Sequence, residues 1–219
     1  MMNVEPRPII TLFDGKLVIT NTVTSTWAMM AIIMSVVWFL SRRYPTALEM
    51  LMDFVTDLVA DVVGRETAHV YMPFLGTLAI FIAVGNSIGV VPGFVSPTRD
   101  INTPAALALV VFFAVHYFGV KAKGWLQYLK DLASPLYLLP LTLPLELIGQ
   151  LSRTLSLTLR LFGNILSGEM VVAVIFSLIQ PLMQIPLVSL NLFTGLLQAY
   201  IFAILAMVYI GAGVAASNS

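Results

Sequence analysis

The chain has 219 residues, 59% of them hydrophobic and 10% charged, where soluble domains run roughly 45–50% apolar and 25% charged. Eleven basic and eleven acidic residues cancel, which excludes the basic footprint of a nucleic-acid binder or a polybasic lipid anchor. The absence of cysteine excludes disulfides, thiolate metal sites and thiol catalysis together.

These proportions predict an all-α polytopic membrane protein with one membrane domain over 1–219. Residues 1–22 read as a tail outside the membrane, without the basic n-region and cleavage site of a removed signal peptide. The first span is placed at 23–41, where Val23–Leu40 runs 18 residues without a charge, enough for a hydrocarbon core of about 30 Å. Next comes "TALEMLMDFVTDLVADVVGRE" (46–66), in which Glu49, Asp53, Asp57 and Asp61 recur every four residues. At about 100° per residue the acids share one face, which predicts an amphipathic helix in the membrane interface, acids toward water. The same stripe suits docking of a partner subunit.

The second and third spans fall at 70–92 and 104–120, joined across the polar turn "SPTRDINT" (96–103). Arg42 and Arg43 follow the first span, and Lys121, Lys123 and Lys130 follow the third. Basic loops stay cytoplasmic, so the N-terminus and the "SPTRDINT" turn are expected outside. Two long helices, 140–179 and 187–216, complete five membrane-embedded helices, with "QPLMQIP" (180–186) as the break. Five spans leave the C-terminus cytoplasmic. The uninterrupted stretch 145–178 would already measure about 51 Å, against the 20 or so residues that a span needs. The pair is therefore expected to tilt steeply.

The fourth helix carries Glu146, Arg153, Arg160 and Glu169, and no charge follows Glu169. With Glu146 at 0° on a helical wheel, Arg153 falls near −20°, Arg160 near −40°, Asn164 near 0° and Gln150 near +40°. Gly149, Ser156 and Gly163 flank this seam and are small enough for another backbone to approach. Glu169 faces elsewhere, about 140° round. A guanidinium at bilayer depth costs about 2.5–3.5 kcal/mol on insertion scales. No acid stands at i±3 or i±4 of Arg160; Glu146 is about 21 Å along the axis, and the last helix offers only neutral Asn191, Thr194 and Gln198. Such an arginine is expected to meet a carboxylate of another chain.

Several separated motifs resemble one family, subunit a of F-type ATP synthases. They are "LRLFGN" (159–164), Glu169 and "GLLQAYIFAILAMVYI" (195–210), preceded in order by "ITNTVTSTW", "NSIGVVPG", "DINTPAALAL" and "PLELIGQLSR". The resemblance implies a stator whose two tilted helices lie along a ring of c subunits, with b-type peripheral stalk subunits and the rest of the complex as further partners, in a bacterial inner membrane. It implies two half-channels meeting at an essential arginine, matched by Arg160. Gln198 matches a glutamine facing that arginine, Asn164 an asparagine one turn on, Glu169 an ionisable group of the outside half-channel and Glu146 one of the cytoplasmic half-channel. Asn191 stands where many relatives carry a second ionisable group, and Gly89 where some carry aspartate. Protons are the commoner coupling ion of the family, but these departures keep sodium open, since neutral oxygens suit a hard cation.

A thiol at Leu161 or Asn164 is accordingly expected to meet the c-ring. No phosphate-binding glycine motif is present, so this chain is expected to bind no ATP, cofactor or metal ion itself. His116 reads as a packed side chain and Trp27, Trp38 and Trp125 as interface anchors. A stand-alone secondary transporter would show repeats with paired broken helices, and none is visible.

Overall fold

The computed structural model describes residues 8–12, 17–63, 65–91, 94–132, 139–178 and 184–215. Seven helices follow a short antiparallel hairpin of β1 (Pro8–Leu12) and β2 (Leu17–Thr20). That hairpin was not expected of the tail. Among the described residues, five helices are long and apolar enough to cross a membrane: Asn21–Arg43, His69–Ile88, Asn102–Lys123, Pro144–Ile175 and Ile185–Val214. The polytopic all-α architecture therefore stands.

The first span, α1 (Asn21–Arg43), is peripheral and exposes Trp27, Met34, Trp38 and Phe39. Arg42 and Arg43 close its last turn, where cations complement the helix dipole, and the Arg42 guanidinium lies 4.8 Å from the Trp38 ring centroid. The amphipathic helix α2 (Pro45–Val63) exposes Glu49, Asp53 and Asp57 and turns Val55 and Ala60 inward. It packs on α3 (Arg65–Ile88), where Gly76 lets Val55 approach to 3.2 Å of the position a side chain would occupy. The side chain of Asp61 lies outside the described residues, as do residues 180–183 of the break between the last two helices.

The link between the second and third spans departs from the expectation of a polar turn outside the membrane. It folds inward as a 3-10 turn, Pro97–Arg99, with Ser96 and Thr98 almost fully buried. The cause is a chain of neutral hydrogen bonds. Ser96 Oγ donates to the Gly85 carbonyl (2.9 Å), Thr98 Oγ1 donates to Asn86 Oδ1 (2.6 Å), and Asn86 Nδ2 reaches the Gly195 carbonyl (2.8 Å). Buried polar groups persist when paired in this way. Thr22 Oγ1 donates to Asp100 (3.2 Å), which fixes the start of α1 at the same end of the bundle.

At the other end, α4 (Asn102–Lys123) stops at Gly124, whose φ of 82° only glycine adopts freely. The chain restarts at once as α5 (Trp125–Leu132), a short helix absent from the sequence reading. A side chain at Gly119 would begin 2.6 Å from the Tyr128 ring, so that glycine is what lets α5 fold back onto α4. Finally, α6 (Leu139–Leu178) and α7 (Gln184–Ala215) have 40 and 32 residues, about 60 and 48 Å at 1.5 Å per residue. The core is shared by α3, α4, α6 and α7, centred on Leu75, Ile82, Val111, Leu161, Phe202 and Ile210.

Candidate functional site

The candidate site is the seam between α6 and α7, and three contacts give its register. Asn164 Nδ2 donates to the Thr194 carbonyl (3.3 Å), Gly168 abuts the Asn191 amide, and the Arg153 guanidinium lies 5.7 Å from the Tyr209 ring centroid. As numbers rise on α6 they fall on α7, so the helices are antiparallel. The same register sets Arg160 level with Gln198.

Leu157, Leu161 and Ile165 are buried at i, i+4 and i+8 and form the inward stripe of α6. Arg160 lies on one flank of that stripe and Glu169 on the other, about 180° apart on the wheel. Arg160 is exposed, with no carboxylate in salt-bridge range among the described residues. On its flank, none of the other described residues lies within 4 Å of where side chains would start at Gly149 and Gly163. Gln198, across the seam, is 5% exposed, and its Nε2 is buried without a hydrogen-bond partner in the structure described. An unpaired buried donor costs about 1–3 kcal/mol.

Glu169 meets a residue that the sequence had not pointed to. Its Oε2 lies 3.1 Å from Arg99 Nε, brought there by the inward fold of the 3-10 turn. Gly89 closes the same corner, 3.7 Å from Glu169 Oε1 at its side-chain position. Asn191 is half-buried opposite, with Oδ1 unpaired. A methyl group at Gly168 would overlap the Asn191 amide and force that side chain to shift. Asn164, Ser167, Asn191 and Thr194 line an open cleft of about 220 Å³ between the two helices.

Glu146 stands apart, toward the other end of the bundle. It accepts a hydrogen bond from Gln150 Nε2 (3.2 Å). Burial, and then the charge of Glu146, push the Tyr128 phenol above its usual range. His116 packs on Phe112 and Tyr128, its Nδ1 2.8 Å from the Phe112 carbonyl. With Gln150, Arg153 and Tyr209 it lines a cavity of about 30 Å³, room for one water. A further cavity of about 570 Å³ between α2, α3 and α7 is lined almost wholly by apolar side chains and lies away from this chemistry.

Residues 23–211 match the family model described as ATP synthase A chain. The chain is 44% identical over 207 residues to "ATP synthase subunit a 2" of Bradyrhizobium sp., covering 91% of each. It is 38% identical over 209 residues to "ATP synthase subunit a" of Legionella pneumophila, covering 92% of this chain and 90% of the relative. A third relative, "ATP synthase subunit a 1" of Chlorobaculum parvum, is 36% identical over 220 residues, covering 96% of each. The chain belongs to the ATP synthase subunit a family.

As a subunit a, it is an integral membrane protein of the membrane sector of the F-type ATP synthase. Within this subunit a, Asn164, Asn191 and the Arg160–Gln198 level all gather along one helix seam, while Glu169 looks away toward Arg99 and Glu146 lies far below. Arg99 was visible in the sequence only as the one basic residue of a polar turn. Nothing local to 96–103 signals that this turn folds inward. One expectation needs correcting. Leu161 is fully buried, because it belongs to the i, i+4 stripe with Leu157 and Ile165, so a thiol there faces this chain's own core.

Proposed function

We propose that this chain is the ion-translocating stator subunit of a rotary F-type ATP synthase, presenting Arg160 to the carboxylates of a c-subunit ring and passing protons to and from them through two half-channels. The observation that carries the reading is the state of Arg160: a charge on a membrane helix, exposed, without a carboxylate partner among the described residues, beside a flank left open at Gly149 and Gly163. Such a charge is functional by default. Its role follows from chemistry. The guanidinium draws each deprotonated ring carboxylate, favours release of the bound ion, and bars ions from leaking between the half-channels. Arginine suits this because it cannot be deprotonated when desolvated.

In this reading Glu169, Asn191 and Asn164 belong to the outside half-channel, and the open cleft between α6 and α7 supports water there. Glu146 belongs to the cytoplasmic one, supported by the water-sized cavity at His116 and Gln150. Gln198 positions the arginine from across the seam. The N-terminus lies outside and the C-terminus is cytoplasmic, in a bacterial inner membrane, with α2 in the cytoplasmic interface. The lengths of α6 and α7 support a steep tilt along the ring, and b-type stalk subunits complete the stator. ATP chemistry resides elsewhere in the complex.

Cysteine crosslinking tests the reading. In this cysteine-free chain, a thiol at Ser156 or Gly163 forms a disulfide under mild oxidation with a cysteine on the outer helix of the c subunit, which requires Cα atoms within about 7 Å. A thiol at buried Leu161 gives none. Crosslinks confined to this chain would overturn the proposal.

One observation favours a second reading of the coupling ion. Asn164, Ser167, Asn191 and Thr194 offer neutral oxygens around the cleft, a donor set that a hard cation accepts. With proton coupling, ATP hydrolysis by the purified complex at fixed pH stays flat as sodium rises from micromolar to tens of millimolar. Several-fold stimulation, with sodium protecting the c subunit from carbodiimide, would replace protons by sodium.

A further inference from the structure

The pairing of Arg99 with Glu169 has a consequence for how ions enter the outside half-channel, given the stator reading above. The two side chains are 3.1 Å apart and only 18% and 26% exposed. They are neither sealed from water nor screened by bulk solvent, so the attraction is felt and ions still reach it. Gly89 supplies no side chain at this corner. Asp100, the neighbouring acid, accepts hydrogen bonds from Thr22 Oγ1, Asn102 N and Asn102 Nδ2.

The turn that carries Arg99 also has anchors of its own. Ser96, Thr98 and Asn86 anchor the turn to α3 and α7 through neutral hydrogen bonds. The Arg99 guanidinium, carried on this anchored turn, meets the carboxylate that an incoming cation would otherwise use.

We propose that Arg99 is a specificity-determining residue of the outside pathway: a tethered cation that competes with the transported cation for Glu169 and so sets the ion concentration at which the pathway loads. When the transported cation approaches, the guanidinium yields one carboxylate oxygen. When it leaves, the guanidinium returns. The pair keeps the pathway electrically neutral at rest, and no covalent change is involved.

The charge account predicts an order of variants that a conventional relay does not. Removing Arg99 alone leaves Glu169 open, so loading becomes easier. Removing Glu169 alone strands a positive charge in the path of cations, the worst case. Removing both relieves that barrier.

The test uses the complete purified complex in liposomes, making ATP under a potassium–valinomycin potential. Lumenal sodium is titrated at fixed pH, and lumenal pH at fixed sodium, so that whichever ion supports synthesis is read. With Arg99→Gln the half-saturating concentration of that ion falls by about tenfold, the scale of a near-surface ion pair. Arg99→Lys, which restores a cation, moves it back toward the wild-type value. Synthesis by Glu169→Gln is nearly lost, and the double variant recovers several-fold over it. An unchanged half-saturation in assembled Arg99→Gln complexes, or a double variant no better than Glu169→Gln, would overturn the proposal. Arg160→Ala run alongside separates the two readings: continued coupled synthesis there would sink the stator assignment itself, whatever Arg99 does.

Discussion

Arg160→Ala abolishes ATP-driven ion transport by the assembled complex while the soluble sector continues to hydrolyse ATP. A guanidinium and a carboxylate about 4 Å apart, at the effective dielectric of a partly buried site, interact by about 4 kcal/mol, which corresponds to two to three powers of ten in rate. Among the described residues nothing compensates, since no carboxylate or second cation replaces Arg160 at its level on α6; Gln198 across the seam is neutral. In the proposed reading a passive ion leak accompanies the loss, because the charge that would separate the two half-channels is gone. Quenching of a pH-sensitive dye in inverted vesicles, with hydrolysis measured in parallel, reads both effects. Transport at near wild-type rate would reject the assignment.

Gly163→Leu is expected to eliminate coupled transport without destabilising the chain. Inside a helix, leucine is favoured over glycine by about 1 kcal/mol, and none of the other described residues lies within 4 Å of the position that the new side chain would start from. The variant therefore inserts into the membrane and resists proteolysis as the wild type does. The bulk instead protrudes beside Arg160, where the proposed reading puts the ring. Co-purification with the c subunit and ATP-driven transport should both fail. Gly168→Leu provides the contrast, because its side chain collides with Asn191 inside the α6–α7 seam and should lower the stability of the chain itself. Equal stability losses in the two variants would mean that the Gly163 flank is closed by this chain rather than by a partner.

Much of the architecture was legible because membranes impose strict length and polarity rules. An uncharged run such as Val23–Leu40 has few fates besides a span, and the four-residue period of Glu49, Asp53 and Asp57 permits only one wet face on a helix. Arg160 stood out for the same reason: a charge surrounded by leucines is expensive wherever it sits, and one-dimensional spacing already excluded a partner on its own helix. The wheel likewise placed Glu169 on a different face from Arg160, and in the structure it looks toward Arg99.

What the sequence by itself determined about this protein is the five long apolar helices and the amphipathic α2, their apolar faces, and the absence of a partner for Arg160 within α6. Only the tertiary structure decided what lies beside Glu169. Arg99 is 70 positions away in the chain, in a turn whose composition reads as solvated. It is drawn inward because Ser96, Thr98 and Asn86 satisfy one another and the carbonyls of Gly85 and Gly195. Those bonds join residues of different helices, and no periodicity encodes them. The same holds for the level of Gln198 and for the fold-back of α5 onto Gly119, which depend on how α7 and α4 pack rather than on any local preference. Periodic patterns record which side of a helix is buried. Which residues then meet is decided by long-range packing and by the need of each buried polar group for a partner.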